Sequence, residues 1–291
     1  MMRTAVVTDS NSGITKEEAE KMGIFLIPMP VIIDGDTHFE GQDMTQDDFY
    51  TSLKGGKDVT TSQPAPGIVM DLWNQVLASG YDELVHIPMS SGLSNSCATA
   101  MALAQDYDGK VCVVDNHRIS VPMRESVLDA VFMTGKGKSA KEIKESLEKA
   151  AYDASIYIAV DTLEYLKKGG RITVAAAALG SVFHVKPILT IQGDKLDAFA
   201  KVRGMKKCRH RMAEALQEDL DTRFRDIDRH RLILATAGAG LTEEEAEAWK
   251  NEIAEAFPGM EVYYNPLSFS ISTHVGPGAI GAGICVKNRE A

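Results

Sequence analysis

Glu83-Leu-Val-His-Ile-Pro-Met89 runs directly into Ser90-Ser-Gly-Leu-Ser-Asn-Ser96, so an apolar stretch of strand character gives way to clustered hydroxyls. A helical pattern follows over residues 94–104, with Ala98, Met101, Ala102 and Leu103 on its apolar side. A strand that passes into a helix through a short polar turn is one βα unit of a parallel sheet. The first turn of such a helix presents unpaired N–H groups and the positive end of its dipole, which makes the turn a candidate seat for a carboxylate or phosphate. Ser91 or Ser94 acting as an ordinary helix cap accounts for the same residues.

Similar units flank it. Residues 4–8 form a β-branched strand, and Thr15 with Glu18 opens a helix in a capping-box pattern. Residues 24–33 are apolar and extended, interrupted by Pro28 and Pro30, and Asp34-Gly35 reads as the turn of a hairpin. Helices are expected over 45–53, from Ile68 to a stop at Gly80, over 122–134 and over 140–151, with a strand at 110–115 and a linker-like stretch at 135–140. Beyond this the pattern mixes a strand (156–160), short helices at 163–168 and from 175, a hairpin (185–191 and 196–202), a long helix (205–224), a strand, a helix and a strand, and a Gly-rich tail. The expected fold is α/β with two domains: residues 1–155 as a three-layer, Rossmann-like parallel-sheet domain, and residues 156–291 as an α/β domain with a mixed sheet. The C-terminal strand is allowed to cross between them.

Composition narrows the function. The 291 residues are 44% hydrophobic and 25% charged, and the apolar runs are too short to span a bilayer. The N-terminus passes straight into a strand without an apolar export segment, so a cytoplasmic protein is expected. A net charge of −10 argues against nucleic acid as a partner. The basic segment 201–211 is the exception, either a solvated helix face or a dock for an anionic partner surface. Cys97, Cys112, Cys208 and Cys285 lack any metal-ligand spacing, and neither a metal nor an organic cofactor is expected.

Thr60-Thr61-Ser62-Gln63-Pro64 places hydroxyls before a second helix, and if the two helix starts lie side by side, Thr61, Ser62 and Ser94 converge on one anion. Gly276-Pro-Gly-Ala-Ile-Gly281 fits G-x-G-x-x-G formally but lacks the downstream acidic residue, so its glycines point to a turn or a close backbone approach beside His274. Gly238-Ala-Gly240 leads into Thr242 and Glu245, a capping box. Gly92-Leu-Ser94-Asn-Ser96 also approximates a nucleophile elbow, and the order Ser94, Asp161, His274 matches that of α/β-hydrolases, which keeps a serine esterase or thioesterase as the alternative.

Thr61-Ser-Gln-Pro, Ser90-Ser-Gly-Leu-Ser94, Tyr165-Leu-Lys-Lys-Gly-Gly-Arg-Ile172, Lys186-Pro-Ile-Leu189 and His274-Val-Gly-Pro-Gly-Ala279 stand in the order and spacing of one family, and the chain resembles the DegV fatty-acid-binding proteins over nearly its whole length. The resemblance implies a carrier rather than an enzyme. It would hold one long-chain fatty acid between two domains and present it to a separate ATP-dependent fatty acid kinase, whose acyl phosphate feeds phospholipid synthesis. By motif position, Thr61 and Ser94 would bind the carboxylate, Arg171 and His274 would sit by the head group and assist phosphate transfer or kinase contact, and Gly278 and Ala279 would shape the pocket; Ser62 from the hydroxyl cluster and Asn95, where the chain departs from the family, are further candidate ligand-binding residues. Asn95-Ser96 replaces the family's Gly-Thr, and Asn11-Ser12-Gly13 lacks its usual acidic residue. A dozen buried methylenes at ~0.8 kcal/mol each supply on the order of 10 kcal/mol before ordering costs, so the head group needs orientation more than attraction. Residues 175–178, Leu179, Val182, Phe183, Ile188 and Leu189 are the expected tunnel wall or ordinary core.

Overall fold

The computed structural model describes residues 2–178 and 185–289; Leu179, Val182 and Phe183 lie outside the described residues. The first half runs β1 (Thr4–Asp9), α1 (Lys16–Met22), β2 (Ile24–Ile27), β3 (Pro30–Ile33), β4 (Asp36–Phe39), α2 (Gln46–Lys54), β5 (Val59–Thr61), α3 (Pro66–Ala78), β6 (Glu83–Ile87), α4 (Ser96–Ala104), β7 (Val111–Val113), α5 (Ser120–Gly135) and α6 (Ala140–Lys149). Strands β2-β1-β6-β7 form a parallel sheet in that order. Alternation along the strands divides its side chains. Val6 and Val85 pack with Val127 and Ile143 of α5 and α6, whereas Val7 and Leu84 pack with Trp73 and Ala100 of α3 and α4. Both faces are therefore covered, giving three layers. The chain reverses its winding between β1 and β6, the point at which ligands of such sheets bind.

The second half runs β8 (Ala154–Ala159), α7 (Glu164–Gly169), α8 (Val174–Ala177), β9 (Val185–Ile191), β10 (Asp197–Arg203), α9 (Met205–Asp221), β11 (Leu232–Gly238), α10 (Glu243–Ala256), β12 (Val262–Pro266), α11 (Phe269–Val275) and β13 (Ile280–Val286). Its sheet has the order β10-β9-β8-β13-β11-β12 and is mixed, with β11 and β12 parallel and the other pairs antiparallel. Met212, Leu216 and Trp249 of α9 and α10 cover one face. The other face supplies Ile158, Leu189 and Ala237 to a cluster that also holds Met29, Val31, Phe49 and Val59 from the first half.

The Gly-rich tail is thus no tail. It contains α11 and then β13, which lies inside the sheet between β8 and β11. The stretch 24–33 is not one extended segment either. It breaks after Ile27: β2 joins the parallel sheet, while β3 begins at Pro30 and forms a separate three-stranded sheet, β4-β3-β5. Proline is tolerated at the first position of a strand, so Pro30 marks the change of sheet. The hairpin forms through Asp34 and Gly35, whose φ values of 52° and 97° suit a two-residue turn. The stretch 135–140 is a tight connection closed by a capping box between Ser139 and Glu142.

After β13 the chain returns to α5. Arg289 pairs through Nη2 with Glu125 Oε2 at 2.5 Å and through Nη1 with Asp129 Oδ1 at 3.0 Å, both carboxylates being buried. Tyr263 of β12 donates to Glu125 Oε1 at 2.9 Å. Burial pushes the Asp129 carboxyl up to about 6 despite the neighbouring Arg289. Replacing Arg289→Met leaves two buried carboxylates without their cation and should cost roughly 3–5 kcal/mol, read as a lowered urea midpoint. An unchanged midpoint would show that this tie carries no stability.

Candidate functional site

The turn after β6 is shaped by backbone bonds. Ser90 N donates to Arg118 O at 2.9 Å, Ser94 N donates to Ser90 O at 3.2 Å, and Met89 N donates to Asp9 Oδ2 at 2.9 Å, which joins the turn to the end of β1. Ser94 precedes α4, and its Oγ accepts from Ser96 N at 3.2 Å. Asn95 is the residue before the helix, is exposed and makes no side-chain cap. Ala65, before α3, makes none either. The two helix starts are joined by Thr99 Oγ1 donating to Gln63 Oε1 at 3.0 Å. Neither residue before the helices caps with its own side chain, but Ser94 Oγ already takes the first N–H of α4 and Pro66 at the start of α3 has none, so donors for another acceptor come only from later in each first turn.

Three further elements complete the site. Thr61 ends β5, and its Oγ1 lies 2.8 Å from Nε2 of His274 on α11. His274 can take this place because residue 169 is glycine: a Cβ there would sit 2.1 Å from His274 Nδ1. Arg171 follows α7, with Nε donating to Leu93 O at 3.2 Å and Nη1 donating to Gly169 O, so one guanidinium links the serine-rich turn to the α7 end. Burial, and secondarily the charge of Arg171, lowers His274 to about 4, so its imidazole is neutral at pH 7.

Thr61, Ser62, Ser94, Arg171 and His274 line one cavity, whose polar lining also includes Gln63, Ser120 and Ser270. The rest of the lining is largely apolar, including Leu93, Ile119, Ile158, Leu196 and Leu267. The sheet face beneath is nearly bare. Ala235 is paired with Gly283 and Ala237 with Gly281 across β11 and β13, while Ile280, Ala282 and Ile284 turn to the opposite cluster. Glycine weakens a strand, and its repetition here leaves room for something that approaches the backbone closely.

Asn95, Gly278 and Ala279 do not line this cavity. Gly278 N donates to Ala239 O at 2.8 Å, and Ala239 N donates to the carbonyl of buried Ala279 at 2.9 Å, so both hold the loop after β11. Ile188 faces the α9/α10 cluster, and Leu189 and Ala176 belong to the shared core. Ser120 and Ser270 escaped the sequence reading: Ser120 sits at φ 54°, a conformation its identity does not advertise, and Ser270 lies on the unanticipated α11.

The hydrolase arrangement does not form. Asp161 is paired with Lys186 Nζ, and its side chain is 62% exposed, while His274 Nε2 is engaged by Thr61. Gly276, with φ 80°, ends α11 against the Tyr165 ring, and Thr242 with Glu245 forms the capping box of α10. In the basic segment, Arg209 pairs with Glu252 and Arg211 with Glu214 and Glu218. Among the described residues no cluster of His, Cys, Asp and Glu is arranged to hold a metal, and no helix is long and apolar enough to cross a membrane.

The sequence model described as "Uncharacterised protein, DegV family" matches residues 3–287. Protein DegV of Bacillus subtilis is 33% identical over 293 residues, covering 98% of this chain and 100% of its own length. A DegV domain-containing protein of Deinococcus radiodurans is 30% identical over 288 residues, covering 97% and 98%. Among solved structures, the Bacillus subtilis DegV, described as a fatty acid binding protein, superposes with a TM-score of 0.85 at 31% identity over 99% of this chain and 100% of that one. The Thermus thermophilus DegV family protein, described by its fatty acid binding, gives 0.87 at 28% over 98% and 100%.

The lowered proton affinity of His274 has a measurable sign. Between pH 6.5 and about 4 the unfolded chain binds the proton first, so this group's contribution to stability is lost as pH falls through that window. Nitrogen NMR should find the ring neutral at pH 6 with a midpoint near 4; a midpoint at 6.5 or above would place His274 in a wetter setting than the one described.

Proposed function

Because the chain belongs to the DegV family, we propose that it binds one long-chain fatty acid, with the carboxylate among Thr61, Ser62, Ser94, Arg171 and His274 and the tail along the apolar cavity. The observation that carries this reading is the make-up of the cavity lining, in which a few hydroxyls, an imidazole and one guanidinium accompany a largely hydrocarbon wall over the bare floor of β11 and β13. The tail supplies most of the affinity through area removed from water, and the neutral donors set the orientation of the head group.

The chain acts as a carrier in the cytoplasm and presents the carboxylate to a separate ATP-dependent fatty acid kinase. In that step a carboxylate oxygen attacks the γ-phosphorus of ATP, ADP leaves, and the acyl phosphate enters phospholipid synthesis. Arg171 would meet the charge that phosphorylation adds to the head group. His274, neutral and fixed against Thr61, donates or accepts a hydrogen bond there without repelling either state. Asn95, exposed beyond the cavity, alters the turn rather than the seat.

Mass spectrometry of the denatured chain should release close to one long-chain fatty acid per molecule, and a chain purified with a water-soluble ligand in that cavity would sink the proposal. Thr61→Val and Ser94→Ala should each weaken binding roughly fivefold to tenfold, the worth of one hydrogen bond of about 1 kcal/mol, measured by displacement of a fluorescent fatty acid. Equal affinities in the variants would remove these hydroxyls from the seat.

A further inference from the structure

The side of α11 that meets the cavity consists of Ser270, Ile271, His274 and Val275, the spacing that one face of a helix requires. Ser270 and His274 stand about one turn apart, roughly 6 Å along the axis at 1.5 Å per residue. Ser270 thus enters the cavity near the head-group residues but displaced from them. Its hydroxyl is the exception in this segment. Ser268 Oγ donates to Asn11 Oδ1 at 2.8 Å, Ser272 Oγ lies 3.0 Å from the Tyr50 hydroxyl, and Thr273 Oγ1 donates to Phe269 O at 2.8 Å. A helical serine can bond back to the carbonyl four residues earlier, as Thr273 does, yet Ser270 Oγ has no hydrogen-bond partner among the described residues. The residue is only 5% exposed and lines the cavity.

A second hydroxyl is in the same condition. Ser120, the first residue of α5, is 9% exposed, lines the cavity and has no side-chain hydrogen bond among the described residues. Ile119 before it makes no side-chain cap, and the N–H groups of Ser120 and Val121 meet no acceptor among the described residues. A carboxylate does not account for all of these donors. Its two oxygens offer about four lone-pair sites, and Thr61, Ser62, Ser94, Arg171 and His274 already stand at its proposed seat. A plain hydrocarbon tail offers no acceptor, so a buried hydroxyl pressed against it loses water without return.

We propose that the acyl chain held in this cavity bears an oxygen function, a hydroxyl or keto group, and that Ser270 hydrogen-bonds it; the ligand class is then an oxygenated long-chain fatty acid. This inference rests on the fatty-acid reading of the cavity. Because α11 keeps Ser270 within one turn of His274, the oxygen it meets belongs to the half of the chain nearer the carboxyl. A site that hydrogen-bonds a ligand oxygen rejects the analogue lacking it far more sharply than an apolar pocket rejects a missing methylene. Ser270 is thus the residue that separates this ligand from a plain acid of the same length.

The test offers the purified protein an equimolar mixture of hexadecanoic acid and its monohydroxy and mono-oxo derivatives, with the oxygen at each carbon of the half nearer the carboxyl, and quantifies the bound species by mass spectrometry. One positional isomer should be retained in preference to hexadecanoic acid. That bound ratio should fall roughly fivefold to tenfold in Ser270→Ala, the effect of one lost hydrogen bond. A parent protein in which hexadecanoic acid outcompetes every oxygenated acid overturns the proposal without recourse to any variant, and leaves the fatty-acid reading intact. A preference that survives in Ser270→Ala, or that is lost only in Ser120→Ala, overturns the assignment to Ser270. A fall in both species by the same factor in Ser270→Ala places that hydroxyl on the carboxylate and likewise overturns it. A parent protein that takes up no acid of either kind overturns the fatty-acid reading itself, and this inference with it.

Discussion

The cavity exists because two neighbouring strands decline to fill it. A sheet face that meets other elements ordinarily does so through side chains about 10 Å deep, interdigitated at crystal-like density. Here Ala235 faces Gly283 and Ala237 faces Gly281, so the middle of the face contributes almost nothing but backbone. The same strands place Leu234, Ile280 and Ile284 on the opposite face, where α9 and α10 pack against them. Along β11 and β13, side-chain bulk is thus concentrated on one side of the sheet and space on the other. The strand that pays for this is held in place from both sides, by β8 and β11, and by Trp249 Nε1 donating to Gly281 O at 2.9 Å.

The polar end depends on separate parts of the chain meeting. Thr61 comes from a small sheet formed in the first half, His274 from a seven-residue helix near the end, and Arg171 from between them. Thr61 and His274 hold each other side chain to side chain, and the backbone sets the rest. Arg171 is oriented by two main-chain carbonyls and His274 by a missing side chain at Gly169, so the geometry is imposed by the backbone. Such placement fixes donors without adding charge, and Arg171 is the one permanent charge among the five residues gathered from the sequence motifs.

What could be read from the sequence follows how local each signal is. The βα units of the first half announce themselves through apolar runs and caps, and the Thr15–Glu18 and Thr242–Glu245 boxes form as their spacing dictates. Thr61, Ser62, Ser94, Arg171 and His274 were legible as motif residues, and the structure gathers all five on one cavity. The strand β13 was hidden because glycine at alternate positions erases the apolar alternation by which a strand is recognised, and glycine is what the cavity requires there. The helix α11 was hidden by its seven residues and four hydroxyl or imidazole side chains. Ile188 and Leu189 illustrate a subtler failure: consecutive residues of a strand face opposite sides, so only one of them had a claim on the cavity side.

The core cluster that gathers Met29, Val31 and Phe49 with Ile158, Leu189 and Phe269 belongs to neither half alone. Under the proposed function, an acyl chain lying beside it becomes a further member of that core. Loading and folding are then linked: a ligand present at a hundred times its dissociation constant adds about 2.7 kcal/mol to the folded state. The same enclosure slows escape, because the tail can leave only as its hydrocarbon surroundings part. Retention of cargo would then be a matter of kinetics as much as affinity, and release would require a partner that loosens the contact between the halves.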